Sequence, residues 1–412
     1  MSDIDVIIVG AGAAGIAAAR RLIAAGKRCV LLESRPRPGG RAVTDHSLDA
    51  PADLGAAWLH FADANAWTGL AEEARCQVIR TEPGWGPAAW IGNAPPDAAQ
   101  RAMAAAGYVQ YNALVEEAAA AGRDVSLAQI LPRDDYRPRF DAVMTWAVGV
   151  ETADVSTLDL ARYADSTHNW AVREGLGTVV AHAADGLDVK LQAAVTHIDW
   201  SARDVRVEST AGTLAARAAI VTVPTTVLAR GAIRFTPDLP PAWREAAEGL
   251  PLGVANKVFF RLAPGSFDPG DSRHFIGRAD TSRTCSYLLF PARQPLLCAY
   301  FGGDLSKELE ARGQLEHFAR EELHGIFGAQ FSAGLGAARS TAWGSDPWSL
   351  GSYSAARPGQ AGARAVLARP VAPNLCLAGE ACSAEYYGTL HGAWLSGQAA
   401  AESLLQARPG NS

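Results

Sequence analysis

The sequence predicts an α/β protein, with a Rossmann-like dinucleotide-binding domain interleaved with a mixed α+β substrate domain. Three observations predict it. A strand–glycine turn–helix–strand–acid unit occupies the stretch from Asp5 to Glu33. Further short apolar strands, from Val189 to Val223 and from Leu375 to Ala378, read as returns to the same sheet. The chain has 412 residues, 49% of them hydrophobic, which is longer than one typical domain and enough to bury a large core. The expected division gives the dinucleotide domain residues 1–75, 181–245 and 351–412, and the substrate domain residues 76–180 and 246–350.

Val6-Ile7-Ile8-Val9 is wholly apolar, the pattern of a strand buried on both faces. It leads into Gly10-Ala11-Gly12-Ala13-Ala14-Gly15, which opens a small-residue helix closing near Gly26. Gly10 allows the tight turn, Gly12 lets the backbone approach a pyrophosphate, and Gly15 lets the helix lie close on the strand. The free N–H groups at the helix start, around Ala13 and Ala14, favour phosphate charge. A second apolar run, Cys29 to Leu32, ends in Glu33 and Ser34, where the carboxylate can accept hydrogen bonds from ribose hydroxyls.

Beyond Glu33 come Pro36, Pro38 and then Gly39-Gly40-Arg41, which bring more backbone amides and one positive charge toward the pyrophosphate. This spacing resembles the flavoproteins of the amine oxidase and phytoene desaturase superfamily, not the NAD dehydrogenases. The resemblance implies FAD as the cofactor.

Composition bounds the partners. There are 37 Lys and Arg against 43 Asp and Glu, a formal charge of −6, which argues against a nucleic-acid partner. The six cysteines show no CxxC spacing and no nearby histidine cluster, so no metal site and a reducing compartment are expected. Cys29, Cys298 and Cys376 lie in apolar runs and read as buried small hydrophobes. No apolar run reaches the ~18 residues of a membrane span, and the first strand starts too early for a signal peptide, so a cytoplasmic location is expected.

Asp53-Leu54-Gly55-Ala56-Ala57-Trp58-Leu59-His60 follows a polar stretch. Gly55, Ala56 and Ala57 are small enough to lie against a flat ring, and Trp58 and His60 add an apolar face and a titratable group. The segment resembles the one that passes the isoalloxazine in polyamine oxidases, which implies that His60 lies near the substrate amine. Phe61 stands where such relatives often have glycine, with an expected effect on the local cavity. From about 66 to 180 the chain reads as helix-rich. A long helix runs from Ala98 to Ala121, breaks are expected at Pro132 to Pro138, and Asp159–Tyr163 with Ser166–Trp170 reads as a helix and its loop. The role expected of this stretch is to roof a substrate cavity, with Trp146 and Trp170 as core.

The short strands between Val189 and Val223 read as a meander ended by Pro224, and the resemblance sets Val195 by the adenine. A second β region opens at Asn256-Lys257-Val258 and continues through Cys285–Phe290 and Leu296–Phe301, followed by one helix from Leu305 to Phe327. Flavin amine oxidases carry a lysine in this NKV context, which implies that Lys257 holds a water at flavin N5 and assists the reaction with oxygen. Trp343-Gly344-Ser345-Asp346-Pro347-Trp348 to Ser354 resembles the segment bringing an aromatic wall to the flavin. Tyr353 would be that wall, with Trp348 lining the substrate cavity and Trp343 packing by the ring or near Lys257. Ser352 replaces the cysteine that bonds FAD in animal monoamine oxidases, so FAD is expected to be non-covalent.

AGEACSAEYYGTLHGAWLSG, residues 378–397, resembles the FAD-closing segment of this family, above all that of spermine and acetylpolyamine oxidases. The resemblance implies that Gly379 approaches the ribityl–phosphate region and that Glu380 accepts from a hydroxyl there. The amides of Thr389 and Leu390 would face the flavin pyrimidine edge at a helix start. Thr389 also stands where monoamine oxidases often have the second aromatic wall.

The implied activity is FAD-dependent oxidation of an amine C–N bond. The partners would be a small-molecule amine, a polyamine or another secondary or primary amine, and molecular oxygen. An L-amino-acid oxidase stays open, since Arg261, Arg278 or Arg283 could hold a carboxylate. So does a desaturase or protoporphyrinogen-type oxidoreductase. The amine and the oligomeric state stay open as well.

Overall fold

The computed structural model describes residues 4–82, 84–85, 89–164, 166, 168–264 and 273–407. Five parallel strands form its first sheet, in the order Leu375–Leu377, Ala218–Val221, Val6–Val9, Cys29–Leu32, Val189–Lys190. The first four are buried at every position, because both faces are covered. Successive side chains of Val6–Val9 go to opposite cores. Val6 and Ile8 pack with the helices Ala13–Ala24 and Leu390–Gln406, and Ile7 and Val9 pack with a four-stranded sheet. The two helices lie very close, since a Cβ at Gly397 would fall 2.1 Å from the Ala14 carbonyl oxygen.

Some elements depart from the sequence reading. Val189–Lys190 and Ala218–Val221 belong to the parallel sheet, and the meander proper is Val195–Asp199, Val205–Ser209 and Gly212–Ala216. The expected helix from Leu305 to Phe327 is two helices, Gly303–Arg312 and Leu315–Phe327, because Gly313 adopts the left-handed conformation that ends the first. Pro138 opens the helix Arg137–Val148 instead of breaking the chain. Asn169 and Trp170 begin a strand, Asn169–Val172, where a loop was expected; position 167 lies outside the described residues.

The second large sheet has six strands, in the order Leu335–Ser340, Ala255–Leu262, Leu296–Gly302, Ser286–Leu289, Arg273–Ile276, Trp90–Ile91. One face, with Val258, Phe260, Tyr287 and Phe301, packs on the helices Gly303–Arg312 and Leu315–Phe327. The opposite face lines a cavity. Above it lie Ala98–Ala120, capped by a reciprocal Asp97–Gln100 box, and Arg137–Val148.

Candidate active site

A cavity of about 1260 Å³ runs from the glycine turn at the end of Val6–Val9 to the exposed face of the six-stranded sheet. That is larger than the ~300–1,000 Å³ typical of a small-ligand pocket, and leaves room for a cofactor and a substrate together. At one end Gly10 has φ +102°, open to glycine, and a Cβ at Gly40 would lie 3.3 Å from the Gly12 Cα. The helix Ala13–Ala24 starts there with no side-chain cap and no acid in its first turn, so its first N–H groups are left for an anion. Glu33 accepts from the Ala11 amide with one oxygen and from the Arg35 amide with the other, which aims its carboxylate along the cavity wall. A side-chain-free cradle, a bare helix start and an oriented acid fit the pyrophosphate and ribose of FAD.

Three ties hold other segments along the cavity. Arg35 makes two parallel bonds to Asp346, at 2.9 and 2.6 Å, and Asp346 in turn accepts from the amides of Trp348 and Ser349. Trp348, 42% exposed, therefore lines the cavity from a loop pinned at the Glu33–Arg35 end. Trp343 is buried; its indole donates to the Leu54 carbonyl and its amide to Asn256 Oδ1. Glu380 lines the cavity with both oxygens engaged by protein: Arg41 and the Ser354 amide on one, the Ser354 hydroxyl and the Gly388 amide on the other. The hydroxyl-accepting role expected of Glu380 gives way to that of an anchor, since four donors occupy its lone pairs. Arg41 directs one guanidinium nitrogen, Nη1, to both Glu380 and the Ser352 carbonyl.

At the other end Gly55, Ala56, Ala57, Trp58 and His60 share the wall with Lys257, Tyr353 and Leu390. The Lys257 ammonium donates to the carbonyls of Asp53 and Gly55, at 2.8 and 2.6 Å, and burial lowers its pKa. Two of its three protons are thus directed, and one is left for a small ligand. Tyr353 donates to the Trp146 carbonyl, which can only accept, so the Tyr300 hydroxyl 2.8 Å away must donate to Tyr353. Burial holds both phenols in the neutral form, Tyr300 at about 12 and Tyr353 well above its ordinary value. His60 Nδ1 lies 2.6 Å from Asn169 Oδ1; an amide oxygen accepts, so the proton sits on Nδ1. Trp85 packs edge-on against Trp58, with ring centres 5.0 Å apart.

Thr389 lines the cavity and is at the same time the N-cap of Leu390–Gln406: its hydroxyl accepts from the Gly392 amide and donates to the Tyr386 carbonyl. Some expected residues stand elsewhere. Phe61, at φ +54° in the left-handed region that suits glycine, turns away from the cavity onto Tyr386 and His391. Val195 and Gly15 are not among the lining residues; Gly15 serves close packing, with a Cβ there only 2.0 Å from the Gly10 carbonyl oxygen. Arg261, Arg278 and Arg283 pair with Asp49, Asp280 and Glu308 and do not line the cavity. Tyr300, Asn169, Trp85 and Arg139 line it, and sequence reasoning missed them. The one available signal was for Tyr300, which lies in a strand expected in the same β region as Lys257. No group of three or more candidate metal ligands occurs among the described residues.

Comparison with known proteins agrees with this geometry. The family model described as flavin-containing amine oxidoreductase matches residues 13–85 and 86–405. Polyamine oxidase 4 of Oryza sativa subsp. japonica is 30% identical over 97% of this chain and 88% of its own length, and polyamine oxidase 2 of Arabidopsis thaliana 30% over 97% and 87%. Among solved structures, cyclohexylamine oxidase from Brevibacterium oxydans superposes with a TM-score of 0.80 at 21% identity, covering 98% of both chains. A putrescine oxidase variant redesigned in its cofactor binding gives 0.82 at 20% identity, over 97% of this chain and 98% of its own.

Proposed function

The chain belongs to the family of flavin-containing amine oxidoreductases, and from that premise we propose that it oxidises the C–N bond of a polyamine or another secondary or primary amine with oxygen as acceptor. The observation that carries this reading is one cavity joining the glycine cradle at Gly10–Gly12 to the wall of Lys257, Tyr300, Tyr353 and His60. FAD, held without a covalent bond by the Gly10–Gly12 cradle, Glu33 and the Gly55–Trp58 segment, would supply a hydride acceptor for the amine α-carbon and a two-electron donor to oxygen, the overall products being imine and hydrogen peroxide. Water then splits the imine into carbonyl compound and amine.

The residues of this chain prepare the amine. Trp58, Tyr300 and Tyr353 exclude water, and a low-dielectric wall disfavours ammonium over the neutral amine that can lose hydride. The Tyr300–Tyr353–Trp146 hydroxyl chain fixes the aromatic wall in one orientation. Asn169 holds His60 in its Nδ1–H tautomer at the amine end. Lys257 places a fixed positive charge where negative charge develops on oxygen. Ser352, whose hydroxyl is engaged with the Ala255 backbone, offers no thiol for a covalent link.

The test is an anaerobic bleaching screen of the yellow holoenzyme against spermine, spermidine, acetylated polyamines, arylalkylamines and amino acids. Bleaching by a polyamine or monoamine, with peroxide on readmitting air, is the expected result. Failure of every amine to bleach the flavin would sink the proposal. Bleaching by amino acids alone would move the activity to amino-acid oxidation.

A further inference from the structure

Two walls of the cavity lead away from the Tyr300–Tyr353 pair, and both end at a basic group that the chemistry above does not use. One wall is the helix Arg137–Val148. Its Trp146 carbonyl takes the Tyr353 hydroxyl, and Val143 and Arg139 line the cavity further along. Arg139 precedes Trp146 by seven residues, two helical turns, so it lies on the same face roughly 10 Å away.

The other wall is the six-stranded sheet, whose cross-strand partners line the cavity in two rows. Lys257, Tyr300, Ser286 and Ile276 form one row, and Phe259, Cys298, Leu288 and His274 the other. His274 is two strands beyond that of Tyr300 and two residues along, roughly 12 Å at about 4.8 Å per strand and 3.3 Å per residue. Helix and sheet thus reach a similar depth independently. The two basic groups also sense each other there: burial first, and then the Arg139 charge, holds the imidazole of His274 down to about 4. Arg139 is only 5% exposed. His274 Nε2 is 2.8 Å from the Ser286 hydroxyl, whereas its Nδ1 is buried with no hydrogen-bond partner among the described residues.

We propose that Arg139 and His274 form a distal subsite for an oxygen acceptor on the substrate, a carboxylate or an amide carbonyl roughly 10–12 Å from the amine that is oxidised. The Ser286 hydroxyl, donating to Nε2, leaves the proton on Nδ1 for such an oxygen, while the guanidinium supplies charge-assisted donors. A second ammonium at that depth would meet a like charge in a poorly hydrated wall. This rests on the amine-oxidase reading and narrows it to amines whose chain, roughly eight or nine bonds on, ends in an acyl or carboxyl oxygen.

Four probes of matched length test it on the holoenzyme: 8-aminooctanoate, N-acetyl-1,6-diaminohexane, 1,8-diaminooctane and octylamine. Peroxide release should give a KM for the better acceptor probe at least tenfold below that of the diamine. Arg139→Met should erase that advantage by raising this KM about tenfold or more, with a clearly smaller effect on kcat and on octylamine, and Arg139→Lys should restore part of it. A larger effect on aminooctanoate identifies the ligand as a carboxylate, and a larger effect on the acetylated diamine identifies it as an amide. A lowest KM for the diamine, or an equal effect of Arg139→Met on all four probes, overturns the subsite. Should no amine be turned over, the amine-oxidase reading fails on its own, and the subsite is judged by ligand-induced thermal shift. Stabilisation by octanoate but not octyltrimethylammonium, lost in Arg139→Met, supports it; equal shifts overturn it.

Discussion

At the scale of single residues, Lys257 and His274 show what burial does to a basic group. Lys257 keeps its ammonium by donating to two backbone carbonyls, and Lys257→Met retains the stem while deleting the charge. In rapid mixing, the variant should be reduced by substrate at a rate within a few-fold of the parent, while its reoxidation by oxygen slows at least tenfold; equal reoxidation rates would remove Lys257 from the oxygen step. His274 titrates near 4 in the fold and near 6.5 in the unfolded chain. Between those values the unfolded state binds more protons, so stability should fall as pH drops from about 6.5 toward 4, by up to about 3 kcal/mol. His274→Gln should flatten that acid limb, which urea unfolding at pH 7.5 and 4.5 would read. Lys257 was legible in the sequence because its neighbours Asn256 and Val258 lie along the chain. Arg139 and Asn169 were not, since each acquires its role from an element distant in sequence.

Elements follow the same rule. The strands Val6–Val9, Cys29–Leu32 and Leu375–Leu377 were legible because a strand covered on both faces must be apolar throughout. Arg273–Ile276 and Leu335–Ser340 were not, since RHFI and LGAARS take their strand character from the neighbours they pair with. The start of Leu390–Gln406 was legible as a place, but the second duty of its threonine was not: motif position suggested a cavity wall, and hydrogen bonding makes Thr389 a cap as well. Thr389→Ala should therefore cost about 1 kcal/mol in denaturant midpoint analysis, and Thr389→Ser close to nothing. A large fall in kcat for Thr389→Ser at unchanged stability would return the hydroxyl to the chemistry.

Across the whole molecule, the cavity-lining segment from Gly379 to Leu390 is held by buried charges drawn from distant parts of the chain. Arg364, 1% exposed, makes two bonds to Asp159, at 2.7 and 2.8 Å, stacks on Tyr387, and donates to the Ser354 hydroxyl. That hydroxyl donates to Glu380, which also takes Arg41. Burial pushes the Glu380 carboxyl up, but Arg41 and Arg364, together with hydrogen bonds from Ser354 and Gly388, more than offset this and hold it below its ordinary value. A carboxyl depressed in the fold stabilises above its unfolded pKa, and that contribution is lost as pH falls through the folded value. Arg364→Met fills the space but leaves Asp159 unpaired and deprives Glu380 of one cation, so it should cost about 3–5 kcal/mol at neutral pH. It should also move the acid-side loss of stability to higher pH, because the Glu380 pKa rises once the Arg364 charge no longer opposes desolvation. Flavin should then dissociate from the variant at a lower urea concentration than from the parent. A variant with parental urea midpoint and acid limb would mean that solvent or rearrangement supplies what Arg364 does here, and that shape alone holds the closing segment.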